Sequence, residues 1–290
     1  MSSDLLFVSD VDGTLVDRRA RLSASTRARL TALLHAGLPF TVASARSALS
    51  LAVMLEGLPL KLPVIEFNGS FITDLATGRR SFVRALQQGV GDDVHGLAHA
   101  LGLTPFVSTF DGARDRLFAA PAHNEGMQWF LDERRAFKDP RLEHVADVRV
   151  GLAQQVVCLT FIAREAALVP LHEELQRHHG ERVRVEFYEN RYQPGWHWLT
   201  VHDSQATKAE ALRALCATLD VRLENLTVFG DERNDIPMFQ IAGRAVAVAN
   251  AHRDVKACAH ELIGDHEEDS VVAYLERVDY LGSRSERAQP

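Results

Sequence analysis

"FVSDVDGTLVD", residues 7–17, closes a short apolar run with two acids, Asp10 and Asp12, and places a third, Asp17, close behind. The run "LLFV", residues 5–8, is apolar on both faces, as a strand buried inside a parallel sheet would be. Residues two apart on extended backbone point to the same side, so Asp10 and Asp12 share a face. Like charges so placed repel. The stretch therefore reads either as a solvated turn or as a site for a divalent cation beside a nucleophilic carboxylate. Asp17 itself reads as a turn residue.

Working outward, "SASTRARLTALLHAG" (23–37) has Leu30, Leu33 and Leu34 at helical spacing, a Ser/Thr-rich start and Gly37 as a stop. "PFTVASAR" (39–46) is a second strand, "LSLAVMLEGL" (49–58) a helix, and "PVIEFNG" (63–69) a third strand running into Asn68. This alternation is the signature of a parallel sheet covered on both faces. The rhythm then breaks. "SFITDLATGRRSFVRAL" (70–86) alternates about Gly78 like a hairpin. Helical segments near 92–101, 122–135 and 164–178 interleave with the strand-like "LTPFVSTF", "QVVCLTFIA" and "RVRVEFY". From Trp198 the first rhythm resumes: "WLTVH" reads as a core strand, then a helix opening at Lys208, "LTVFGD", a short helix and "RAVAVAN". The fold class expected is α/β, a Rossmann-like parallel-sheet core with an inserted α+β domain. Its boundaries fall at 1–79 and 191–290 for the core and 80–190 for the insert, with a frayed end from residue 282.

In open parallel sheets ligands bind beyond the carboxyl ends of the strands. Four strand ends here carry polar groups: Asp10 with Asp12, Ser44, Asn68, and Asp231 with Asp235; Lys208 opens a helix beside them. A lone acid after a strand is ordinary turn chemistry. Polar groups at successive strand ends converge, and converging carboxylates repel or take up protons unless a cation intervenes. A hard divalent ion such as Mg²⁺ matches oxygen ligands of this kind.

The composition sets limits. With 290 residues, 46% hydrophobic and 24% charged, the chain has globular composition and room for two domains. A net charge of −7 argues against a nucleic-acid-binding face. No apolar run nears the roughly 20 residues that span a bilayer, and the amino terminus lacks signal-peptide character. Cys158, Cys216 and Cys258 form no CxxC pair and read as buried, reduced thiols of a cytoplasmic protein. His95 and His99 stand at i, i+4 spacing without an evident third ligand, and Trp196 and Trp198 read as core packing.

These motifs resemble the haloacid dehalogenase superfamily of phosphohydrolases, in its Cof-type branch. "DVDGT" (10–14) is similar to the first motif, DxDGT. "TVASAR" stands where the second usually ends T-G-R, Lys208 in "SQATKAEAL" matches the third, and "GDERNDIPMF" (230–239) resembles the fourth, with Glu232 in place of a glycine. "AVAVANA" (245–251) resembles the downstream A-M-x-N-A. The insert between the second and third motifs marks the branch's type-2 cap.

The resemblance implies that Asp10 is a nucleophile forming an aspartyl-phosphate, with Asp12 as general acid and base. Asp10, Asp12 (also through its backbone carbonyl) and Asp231 would hold Mg²⁺. Asp235 would act through water or orient Lys208. Ser44, the Ala45 amide, Lys208 and Asn234 would bind phosphate, with Arg46 and Asn68 as further substrate contacts; Arg46 reads alternatively as the partner of a core acid. Thr14 would orient an acid. A small phosphorylated metabolite, such as a sugar phosphate, is the implied substrate, chosen by the cap. Alternatives are a phosphotransferase or phosphomutase on the same scaffold, or a receiver-like, non-catalytic phosphate binder. The motif spacing and the insert count against the receiver. The sequence leaves the oligomeric state open.

Overall fold

A computed structural model describes residues 5–190 and 192–287. The chain divides into two compact units, Met1–Phe82 with Thr207–Pro290, and Val83–Ala206. The second is a continuous insertion into the first.

The first unit opens with β1 (Leu6–Ser9), α1 (Ala24–His35), β2 (Phe40–Val42), α2 (Ala48–Met54), β3 (Val64–Glu66), β4 (Phe71–Thr73) and β5 (Arg80–Val83). α1 forms as its sequence dictates. Ser23 Oγ accepts the Thr26 amide at 2.8 Å, Leu30, Leu33 and Leu34 are buried, and Gly37 leaves the helix at φ +97°. The 4-residue β1 is buried throughout because it is central, with parallel neighbours on both sides. β3 joins β2 only through a bridge between Ala43 and Ile65, and otherwise begins an antiparallel sheet with β4 and β5. The hairpin expected around Gly78 is present: Asp74 Oδ1 accepts the Ala76 and Thr77 amides, and Gly78 takes φ +69°.

The second unit contains α3 (Val90–Ala100), β6 (Phe106–Phe110), β7 (Asp115–Ala119), α4 (Glu125–Ala136), β8 (Leu142–His144), α5 (Arg149–Leu152), β9 (Gln155–Ala163), α6 (Glu165–His179), β10 (Val183–Glu189) and β11 (His197–Asp203). Its sheet runs β10-β11-β9-β6-β7-β8. One face packs against α3, α5 and α6 through Val107, Leu159, Phe161, Leu171 and Leu199. On the other, Trp196 and Trp198 pack with Met127 and Leu131 of α4. β11 carries the "WLTVH" expected in the parallel core. It lies antiparallel between β9 and β10 instead, with Trp198 opposite both Ile162 and Tyr188. An apolar run records that both faces are covered, but not which sheet covers them.

The first unit resumes with α7 (Lys208–Leu219), β12 (Leu226–Gly230), α8 (Ile236–Ile241), β13 (Arg244–Ala247), α9 (Arg253–Cys258), β14 (Glu261–Leu262) and α10 (Ser270–Arg287). The parallel sheet has the order β14-β13-β12-β1-β2. Its core includes Leu6, Val8, Leu30, Val228, Phe229 and Leu275, each fully buried and worth about 1.5–3 kcal/mol of transfer free energy by the usual area scale. α10 reaches Arg287, so residues 282–287 of the expected frayed end are helical, and 288–290 lie outside the described residues. Cys158 and Cys216 are buried, whereas Cys258, at the end of α9, is exposed, contrary to expectation. No helix among the described residues is long and apolar enough to cross a membrane.

Candidate active site

The parallel ladder runs one bond past β1: the Asp10 amide donates to Phe229 O at 2.9 Å. This fixes Asp10 at the carboxyl end of the central strand, 7% exposed. The chain then turns tightly. Val11 O accepts the amides of Leu15 and Val16, at 3.0 and 3.1 Å, while buried Val11 and Val16 anchor the turn in the core. Next door, β12 ends at Gly230 and delivers Asp231. A Cβ on Gly230 would lie 2.6 Å from Asp235 Oδ2, so glycine is what lets Asp235 close against this strand end. Oδ2 of Asp235 accepts the amides of Asp231 and Glu232, at 2.9 and 3.0 Å.

Lys208 enters from the first turn of α7, whose cap, Thr207, accepts the Glu210 amide. The ammonium is 1% exposed and donates to Asp10 Oδ1 at 2.5 Å and to Asp235 Oδ1 at 2.6 Å. Gly69 supports it from the other side. At φ +107° its missing Cβ would sit 2.1 Å from Thr207 O, so only glycine fits.

Carboxylate oxygens of Asp10, Asp231 and Asp235 lie within 4.8 Å of one another, all three buried. Thr14 Oγ1 donates to Asp231 Oδ1 at 2.9 Å, the orienting contact expected of it. Burial above all, with Asp235 and Asp231 adding, pushes the Asp10 carboxyl well above the usual range, against the pull of Lys208. Burial also opposes the charge on Lys208, but Asp10 and Asp235 outweigh it and raise its pKa.

Asp12 leaves this cluster. Its carboxylate faces Arg46, whose Nε donates to Oδ2 at 2.7 Å and Nη2 to Oδ1 at 2.8 Å. Arg46, read in the sequence as a substrate contact or as the partner of a core acid, thus grips an acid of the site. Ser44 and half-buried Ala45 follow β2 beside these groups, with Ser44 Oγ accepting the Arg46 amide at 3.1 Å. Asn68 takes a left-handed turn at φ 55°, donates its amide to Ser44 O and accepts Asn234 Nδ2 at 3.0 Å. Oδ1 of Asn234 is buried and accepts no bond among the described residues.

Two groups that the sequence reading kept out of the site lie as follows. Asp17 caps its own turn, accepting the Arg19 and Arg21 amides. His95 and His99 hold their rings 6.0 Å apart and belong to no described trio of metal-ligating side chains. One residue, quoted in the sequence only as part of "AVAVANA", was given no role. Asn250, just past β13, donates to Gly13 O at 2.7 Å and so pins the turn that carries Asp12 and Thr14. Its signal was available, a polar side chain three residues beyond an apolar strand.

Comparison with known proteins places this geometry. A family model described as haloacid dehalogenase-like hydrolase matches residues 7–275. The 5-amino-6-(5-phospho-D-ribitylamino)uracil phosphatase of Bacillus subtilis (strain 168) is 24% identical, covering 93% of this chain and 96% of its own. The pyridoxal phosphate phosphatase of Escherichia coli (strain K12) is 25% identical, covering 92% and 95%. A crystal structure of a haloacid dehalogenase-like hydrolase from Bacteroides thetaiotaomicron superposes with a TM-score of 0.78 at 24% identity, covering 94% of this chain and 99% of that one. The chain belongs to the haloacid dehalogenase-like hydrolases, and within them to the Cof-type phosphatases.

Proposed function

We propose that the protein is a Mg²⁺-dependent phosphatase that hydrolyses a small phosphomonoester through a phosphorylated Asp10. The observation that carries this reading is the buried contact of Lys208 with Asp10 at the end of the central strand, ringed by Asp231 and Asp235. Three buried carboxylates against one ammonium leave negative charge uncompensated. Their hard oxygen donors fit a divalent ion of the Mg²⁺ type. Asp10 and Asp231 would hold it, joined by the Asp12 carbonyl that the family resemblance implies. Bound there, the ion supplies positive charge against the phosphoryl oxygens.

The chain's own groups do the rest. A carboxylate oxygen of Asp10 attacks phosphorus and Asp12 gives a proton to the departing oxygen, leaving an acyl phosphate. Water then attacks that phosphorus as Asp12 takes its proton back. The Ser44 hydroxyl, the Ala45 and Asn234 amides and Lys208 hold the phosphoryl oxygens. Asp235 keeps Lys208 aimed at Asp10, and Asn68 steadies Asn234.

The relatives support the substrate class. Two are phosphatases of small phosphorylated ring compounds, which supports a metabolite of that size, a sugar phosphate among the candidates. The inserted unit Val83–Ala206 is assigned the choice among them. Phosphate release from a panel of phosphorylated metabolites and p-nitrophenyl phosphate, with Mg²⁺ or with chelator, tests the proposal. Mg²⁺-dependent release without an added acceptor is expected. Transfer of the phosphoryl group onto an added sugar, in place of free phosphate, would make the protein a phosphotransferase, and the absence of both would end the reading.

A further inference from the structure

Asp12 does two opposite jobs in the cycle proposed above, and its carboxylate is gripped by Arg46. The Arg46 fork is bidentate, with Nε and Nη2 on separate oxygens of the same carboxylate at 2.7 and 2.8 Å. Both groups are largely buried, with side chains 17% and 23% exposed. The backbone beneath the fork is fixed. Phe67 N donates to Arg46 O at 3.0 Å, Asn68 N to Ser44 O at 2.9 Å, and Ser44 N to Ile65 O at 2.9 Å. The buried Glu66 carboxylate accepts the Ala48 amide and the Thr73 hydroxyl, tying the start of α2 to β3 and β4. On the other side, Gly13 is pinned by Asn250. A guanidinium fork delivered from so rigid a loop sets the plane of the carboxylate it grips.

We propose that Arg46 is a positioning residue for the second half of the reaction, holding Asp12 as a carboxylate oriented to receive the proton of the attacking water. The inference rests on the phosphatase reading. In the first half, the Asp10 carboxylate displaces the alcohol from phosphorus, and a protonated Asp12 gives its hydrogen to the departing oxygen. Asp12 is left as the anion that the fork holds. In the second half, the water oxygen bonds to phosphorus and the bond from phosphorus to the Asp10 oxygen breaks. The electron pair returns to Asp10, and the water proton passes to Asp12. The protonated Asp12 enters the next cycle as the acid. Arg46 therefore serves the step in which the carboxylate is needed as a base.

The two halves separate kinetically with p-nitrophenyl phosphate, whose leaving group departs without a proton. Arg46→Ala, and Arg46→Lys, which keeps charge but not the fork, should lower kcat about tenfold or more, part of the usual worth of a placed base. The ratio kcat/KM, which ends at release of p-nitrophenolate, should stay within about threefold of wild type. Rapid mixing should give a burst of about one equivalent of p-nitrophenolate per site, with acyl phosphate trapped on the protein, because the second step has become limiting. In an Asp12→Asn background, Arg46→Ala should change neither parameter further. A raised KM with kcat preserved would make Arg46 a substrate contact and overturn the proposal. Parallel losses in kcat and kcat/KM without a burst would reduce it to a structural ion pair and overturn it equally. Wild-type protein that releases no phosphate with Mg²⁺ would instead sink the phosphatase reading on which the inference stands.

Discussion

Thr14 Oγ1 and Asp231 Oδ1 meet at 2.9 Å across 217 residues of sequence, joining the turn after β1 to the end of β12. The hydroxyl fixes which way the Asp231 carboxylate points, and with it the oxygen turned toward Asp10. Thr14→Val keeps the shape and removes the donor. Orienting bonds of this sort are worth about 10–100-fold in metal affinity, so the Mg²⁺ concentration for half-maximal activity should rise at least about tenfold. The rate at saturating Mg²⁺ should change little. An unchanged Mg²⁺ titration would remove Asp231 from the ligand set.

Lys208→Met leaves Asp10 and Asp235 facing one another with no ammonium between them. Turnover should fall by about 10³ or more, since the donor aimed at the reacting oxygens is lost. Breaking a buried pair also costs about 3–5 kcal/mol, so the variant should melt well below wild type in chelator. Calorimetry with and without Mg²⁺ should show added ion recovering part of that stability and none of the rate. Asp10→Asn, by contrast, should lose turnover with its fold intact.

Much of this site was legible because parallel strands advertise their ends. Asp10, Ser44 and Asp231 each close an apolar run, so position brought them together on paper, whereas Lys208, alone only a helix-start lysine, joined them through the motif resemblance. That Arg46 pairs with an acid was one of the two readings the sequence offered, but that the acid is Asp12, held in a fork, was not legible. A bidentate fork depends on how the 44–46 and 67–69 loops interlock, and no spacing records that. Asp235 shows the same limit: the sequence offered it two roles, and the bond to Lys208 belongs to one of them. In the fold, β7 was missed because "DRLFA" opens with two charged residues, and β8 because three residues carry no period. β11 was misassigned because burial on both faces looks alike in either sheet.

Gly69 and Gly37 offer a matched test of two kinds of glycine. Both hold positive φ, but a Cβ at Gly37 meets nothing within 4 Å, while one at Gly69 would strike the Thr207 carbonyl. Gly37→Ala should cost only the strain of the left-handed backbone, about 1 kcal/mol. Gly69→Ala adds the clash and should cost roughly 3 kcal/mol or more, read from the urea midpoint at constant slope. It should also lower activity in the folded fraction, because Thr207 carries Lys208. Equal costs at the two positions would contradict the packing described.

His202 predicts how the second unit responds to acid. Burial first, then Arg184, pushes its pKa down to about 4, against the hydrogen bond its ring donates to the Val157 backbone. The folded state keeps this ring neutral while an unfolded chain protonates it near pH 6.5, so the unfolded state holds more protons between those values. Stability is unaffected above pH 6.5, falls as pH drops toward 4, and levels off below. The full effect is roughly 3 kcal/mol on the same scale. His202→Gln should flatten this part of the stability profile relative to wild type. Identical slopes between pH 6.5 and 4 would show that the ring titrates freely.

The order of segments along the chain has a temporal consequence. β1 and β2 leave the ribosome early, but β12, the other neighbour of β1, emerges only after the whole of Val83–Ala206 has been made. A contiguous stretch with its own core can collapse while the nascent polypeptide is still growing, whereas the parallel sheet must wait for a partner more than two hundred residues downstream. The half-built protein thus carries Asp10 without Lys208 or Asp231, and under the proposed mechanism it has no working site until its last third is translated.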